Sequence, residues 1–152
     1  MAMSRLYREV QIQGLVEFQH ELLAARRAFP IELARADSEA AQLVAAGARR
    51  RAPRGPHLGG GQVQPIVDSI HAGISGRGGF VAIGGPGSPH AAPTEFGGTL
   101  RRHASQTRTQ IRRQPFLYPT LAAESDAIDG IYLDAMERVV RRAFPGRALA
   151  LA

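Results

Sequence analysis

The stretch 119–142, PTLAAESDAIDGIYLDAMERVVRR, decides the reading of the chain. Leu121, Ile128, Ile131, Tyr132, Met136, Val139 and then Ala143 repeat at helical spacing, the pattern of an apolar helix face. Glu124, Asp126 and Asp129 come early and Arg138, Arg141 and Arg142 late, so charge complements the helix dipole at both ends. Pro119 suits a first turn, and Pro145-Gly146 ends the element. One long C-terminal helix is therefore predicted from Pro119 to about Arg142, followed by a frayed tail over 145–152.

Upstream lies a segment of another kind. Residues 99–114, TLRRHASQTRTQIRRQ, hold Arg101, Arg102, Arg108, Arg112 and Arg113 and no acid. Thr, Ile and Leu favour extended backbone, so this segment reads as a basic hairpin or loop arm. Residues 84–98, GGPGSPHAAPTEFGG, read as irregular. Before them, Ile66 to Ile74 alternates, GRGG follows, and Phe80 to Ile83 forms a second apolar run, the pattern of a β-hairpin. Residues 52–64, rich in Pro and Gly, read as a flexible loop.

The N-terminal third reads as two helices. Leu15, Phe18, Leu22 and Ala25 share a face up to about Ala28. Pro30 then restarts the chain, and Leu33, Ala36, Ala40, Leu43, Val44 and Gly47 form a stripe of mostly small residues. Arg49 to Arg51 occupy the last turn and Pro53 stops the helix. Tyr7 to Gln13 alternates weakly, as a short edge strand would. The expected architecture is one α+β domain over 1–152, ordered from about 7 to 143. A small antiparallel sheet is packed by two N-terminal helices and one long C-terminal helix, with the basic arm extended from it.

Composition narrows the class. The chain has 152 residues, 44% of them hydrophobic, which suffices for one core. No apolar run approaches the roughly 18 residues of a membrane span, and the first residues lack the apolar core of a secretory signal. Cys is absent, so disulfides, thiolate metal sites and Cys nucleophiles are excluded. All nineteen basic residues are Arg, against thirteen acids, for a net charge of +6. An Arg excess fits contact with nucleic acid or with an acidic protein surface, and equally a merely well-solvated protein.

No catalytic set emerges. The five His show no HExxH spacing, GGPGS is not followed by Lys-Ser or Lys-Thr, and GISGRGG does not fit GxGxxG. Gly87-Ser88-Pro89 is not a nucleophile elbow. His90 and Glu95 share a Gly/Pro-rich loop and are the sole pair resembling half of an acid–base or metal site, a pairing that loop residues usually show by chance. The chain therefore reads as a non-enzyme needing no metal or cofactor. The arm lacks interleaved aromatics, so base stacking is unsupported. Three roles stay open for it: a solvated loop, a contact to an acidic neighbour, or sequence-independent phosphate contact. Phe96 and Phe116 sit beside rigid turns and either plug the end of the core or fix the arm and meet a partner.

Four segments in order carry a resemblance. A helix ends in Ala48-Arg49-Arg50-Arg51-Ala52-Pro53, and a Gly-rich stretch leads to Asp68-Ser69-Ile70. Thr94-Glu95-Phe96-Gly97 follows, then Gln114-Pro115-Phe116-Leu117-Tyr118-Pro119-Thr120-Leu121. Over about residues 10 to 143 this resembles the neck and tail-completion (head–tail joining) proteins of long-tailed bacteriophages, the group of the lambda minor tail protein Z. The chain departs from the family pattern at His90-Ala91, where an aromatic is usual, at Thr120, and in the stretch 58–70, whose loop is reshaped.

The resemblance implies a structural virion part made in the bacterial host cytoplasm. It implies a homo-oligomeric ring, commonly of six, around the DNA passage, in contact with adjacent neck and tail proteins and with no membrane. Glu95, Phe96, Gly97, Gln114, Pro115 and Phe116 would brace the arm's base and form a subunit or partner interface. Arg101, Arg102, Arg108, Arg112 and Arg113 would face a neighbour or passing DNA. The alternative is a free sequence-independent nucleic-acid-binding protein.

Overall fold

The computed structural model describes residues 15–54, 65–100 and 108–145, with the side chains of 15 and 16 left aside. One long helix, α1 (Leu15–Arg51), is the spine. A 3₁₀ turn (Ile66–Ser69) leads into the hairpin β1 (His71–Ser75) and β2 (Gly78–Ala82). Then come α2 (Ala91–Phe96), β3 (Gly98–Leu100), β4 (Thr109–Ile111), α3 (Leu117–Ala123) and α4 (Ser125–Ala143). The fold is α+β, as expected.

Several elements differ from the expectation, each for a local reason. The two predicted N-terminal helices are one, because Pro30 lies inside α1 on an exposed position. The carbonyl of Arg26, which loses its helical partner at Pro30, belongs to an exposed residue, so the missing N–H is not a buried loss. The predicted single sheet is two separate two-stranded antiparallel ladders, β1–β2 and β3–β4. The first apolar run alternates as a strand would, yet 66–69 is a 3₁₀ turn. There the Ser69 hydroxyl donates to the Ile66 carbonyl at 2.7 Å and accepts from the Gly84 N–H at 3.1 Å. Ile66 and Ile70 are thereby both turned into the core.

The segment 84–98, expected irregular, contains α2. The predicted C-terminal helix opens two residues early, at Leu117, and breaks at Glu124. At the break the Ser125 hydroxyl donates back to the Ala122 carbonyl at 3.1 Å, and Glu124 leaves helical geometry with ψ near 6°. The edge strand expected over Tyr7–Gln13 and most of the loop 52–64 lie outside the described residues, as does the tail beyond 145.

The central core joins Ala45, Ala48 and Ala52 of α1 to Ile66, Ile70, Ala91 and Phe116. The Arg49 guanidinium donates to the Ile70 carbonyl at 2.6 Å and pins the end of α1 to the start of the hairpin. A second seam runs between α1 and α4, which are antiparallel. The Tyr132 hydroxyl donates to Asp37 at 2.6 Å, while Arg138, further along α4, meets Glu32, further back on α1. Ala28, Ala36 and Ala40 face this seam with Ala135, Val139 and Ala143, so backbones rather than long side chains set the helix spacing. Leu33, Leu121 and Met136, which the spacing places on apolar helix faces, stay at least 36% exposed.

Two glycines permit close approach. A Cβ on Gly79 would collide with the Asp37 carbonyl oxygen, so the hairpin lies directly on the α1 backbone. A Cβ on Gly47 would come within 2.5 Å of the Thr120 methyl, which lets α3 sit against α1. No helix of the described residues is long and apolar enough to cross a membrane.

Candidate interface at the base of the basic arm

The two motif segments, twenty residues apart in sequence, meet. Glu95 is fully buried on α2, and its carboxylate faces the start of α3. The Phe116 and Leu117 amides donate to Oε2 at 2.6 and 3.0 Å, and the Tyr118 amide donates to Oε1 at 3.1 Å. The first N–H groups of a helix have no partner within it, and a carboxylate there meets both that need and the helix dipole. Glu95 is thus a cap supplied from a remote segment, and it explains why α3 begins before Pro119.

The backbone adds a second tie. The Gln114 N–H donates to the Thr94 carbonyl at 2.7 Å, and the Arg113 Nε–H donates to the Glu95 carbonyl at 3.3 Å. Between the two segments stands the arm. Its stem pairs Gly98 with Ile111, Thr99 with Gln110 and Leu100 with Thr109. Gly97 and Gly98, with φ of 81° and 139°, turn the chain from α2 into β3 through a conformation that L side chains rarely adopt. The Gly97 N–H closes α2 on the Pro93 carbonyl at 2.7 Å.

The expected site residues separate into two groups. Glu95 and Phe116 are wholly inside, Phe116 in the central core, and they brace the arm rather than offer surface. Gln114, Pro115 and Phe96 are exposed, and Phe96 stacks edge-on against Tyr118 at 6.0 Å between centroids. Arg108, Arg112 and Arg113 are exposed on the arm. Arg101 and Arg102 lie outside the described residues. Both oxygens of Glu95, the acid paired with His90 in the sequence reading, accept from main chain, while His90 serves as the residue before α2. Among the described residues no cluster of three or more His, Cys, Asp or Glu is arranged to hold a metal.

Tyr118 also leads to a feature that sequence reasoning missed. It lines a groove of about 320 Å³ between α1, β2, α3 and α4, walled by Ala40, Val44, Phe80, Leu121 and Ile128. Phe80, Tyr118 and Leu121 are half-exposed on its lip. The Tyr132–Asp37 hydrogen bond forms part of its wall, and that bond pushes the Tyr132 hydroxyl up to about 12. No family model matches the chain, and no curated protein and no solved structure matches it.

Proposed function

We propose that this chain is a structural part of a tailed-bacteriophage neck: a tail-completion protein that assembles with itself into a ring, of six in the family it resembles, around the DNA passage. The supporting observation is the clasp from Glu95 to residues 116–118, which fixes the two ends of an Arg-rich hairpin to the core. A hairpin anchored this firmly, yet lined with exposed Arg108 and Arg112, suits reaching out to a neighbour. Arg contacts with phosphate are sequence-independent, which also suits DNA that must pass without being held. In this reading the protein is made in the host cytoplasm, works in the virion, and is not an enzyme.

The test is the native mass of the purified protein with negative-stain images of the same sample. A closed ring with a central hole is expected. A monomer that binds DNA with a steep salt dependence would instead favour the free nucleic-acid-binding reading. Charge reversal at Arg101, Arg102, Arg112 and Arg113 tests the arm. Normal ring formation and normal infectivity in that variant would remove both roles assigned to it.

A further inference from the structure

Burial along the α1–α4 seam continues, in part, past the end of α4. Ala36, Glu32 and Ala28 are buried on one face of α1, each one turn from the next. Their partners on α4 run the other way. Tyr132 meets Asp37, Arg138 and Arg142 meet Glu32, and the helix ends at Ala143, about level with Ala28. The same face of α1 runs on toward the N-terminus through Ala25, Ala24 and Glu21. These three are half-buried, whereas every other residue from Glu17 to Arg27 is exposed. One Glu21 carboxylate oxygen is shielded from solvent. Cover over this end of α1 is thus confined to the side on which α4 stops.

What leaves α4 at this place is the chain itself. Phe144, at φ −124° and ψ 63°, departs from helical geometry, and Pro145 after it cannot continue the helix. Residues 146–152, GRALALA, follow and lie beyond the described residues. They hold one base, no acid and two leucines. An extended chain advances about 3.3 Å per residue and a helix about 1.5 Å, so each tail residue passes about two residues of α1. Seven such residues span roughly 23 Å, more than the roughly 15 Å from Ala28 back to Phe18. In that register Arg147 comes level with Glu21. Alternation puts Arg147, Leu149 and Leu151 on one side of an extended strand. Opposite them α1 offers Glu21 and Glu17, one turn apart, and the half-exposed ring of Phe18.

We propose that residues 146–152 dock on the N-terminal half of α1 of the same chain, as an extended strap that prolongs the α1–α4 seam. Arg147 pairs with Glu21 and sets the register, and Leu149 and Leu151 cover the edge at Phe18. An ion pair at the surface contributes little, so the apolar contact and the continuity of the face supply the hold. The strap acts on α1. Helices owe most of their stability to packing, and the part of α1 from Leu15 to Arg27 lies past the end of α4. The inference concerns one chain and does not depend on the ring reading above.

The chain has no Cys, so introduced thiols are its sole thiols. Phe18→Cys with Leu149→Cys, treated with a short bis-maleimide, is expected to link within one chain and to run as a faster monomer on a denaturing gel. Gly76→Cys with Leu149→Cys is the control and is expected to stay unlinked, since Gly76 sits in the open hairpin turn. Cross-links formed only between chains, in a mixture of the two single variants, would overturn the strap and assign the tail to a neighbour. Absence of any cross-link would overturn it too. Amide hydrogen exchange gives a reading free of thiols. Deleting residues 146–152 is expected to speed exchange over residues 19–27 by about tenfold or more, while the hairpin 71–82 keeps its protection. Unchanged exchange over 19–27 would overturn the proposal. In the full-length chain Arg147→Glu is expected to lower protection over 19–27, and adding Glu21→Arg to restore it. No restoration in the double variant would overturn the pairing that sets the register.

Discussion

The buried carboxylate of Glu95 accepts the Phe116 N–H at 2.6 Å across twenty-one residues of sequence, and the basic arm is the chain held between them. Replacing Glu95 by Ala strands three main-chain donors at the start of α3. An unpaired buried donor costs about 1–3 kcal/mol, so Glu95→Ala is expected to lose about 3 kcal/mol or more in urea unfolding. Glu95→Gln keeps one acceptor oxygen and is expected to lose about half as much. Equal losses in the two variants would mean that packing, not capping, sets the value.

Gly79 makes a second sharp prediction. A Cβ there would collide with the Asp37 carbonyl of α1, and backbone atoms have no rotamer by which to yield. Gly79→Ala is expected to destabilise by about 1–3 kcal/mol, the usual range for overpacking. Gly76, in the turn of the same hairpin with open space around it, serves as the control. Gly76→Ala is expected to change stability by less than about 0.5 kcal/mol.

Pro30 shows what periodicity conveys and what it does not. The apolar spacing on either side of it was legible, but not the continuity of α1. Continuity depends on Pro30 and Arg26 both facing water, a tertiary fact. The same holds at the arm. Its extended character and its Arg content were readable from residues 99–114, whereas the cap on α3 was not, since Glu95 acts from outside the local window. The groove was invisible for a similar reason: Leu121 and Ile128 look like core residues by spacing, and only the placement of the hairpin on α1 leaves space between them. A proline in a helix interior costs about 3 kcal/mol against alanine. Pro30 is exposed, so part of that is already relieved by solvent at the freed carbonyl, and Pro30→Ala is expected to stabilise by about 1–2 kcal/mol and to raise helical circular dichroism. Destabilisation would mean that a kink at Pro30 is needed to seat α1 on α4.

Acid should act on the α1–α4 seam through Glu32. The hydrogen bond from Arg138, with Arg142 close by, holds its carboxyl below the ordinary glutamate value of 4.5. A lowered folded-state pKa means that the unfolded chain binds the proton first as pH falls. The stabilisation is therefore full above about pH 4.5 and is lost progressively below it. Glu32→Gln is expected to flatten the stability profile on the acid side, measured by thermal unfolding between pH 3 and 6. An unchanged acid limb would place the seam's pH dependence on other carboxylates.

Tyr132 governs the opposite limb. Its hydroxyl donates to Asp37 at 2.6 Å, and a phenolate there would face a carboxylate, which raises its value from 10 to about 12. Here the sign reverses: the unfolded chain ionises first, so this stabilisation is full below about pH 10 and disappears as pH rises toward 12. In spectrophotometric titration of the folded protein, one tyrosine is expected to ionise near pH 12, and Tyr132→Phe should remove that step. The same variant is expected to cost about 0.5–1.5 kcal/mol at neutral pH, the net worth of one hydrogen bond. It should also weaken the fall in stability above pH 10. Persistence of the late step in Tyr132→Phe would assign it to another tyrosine, and the Asp37 contact would then not be the cause.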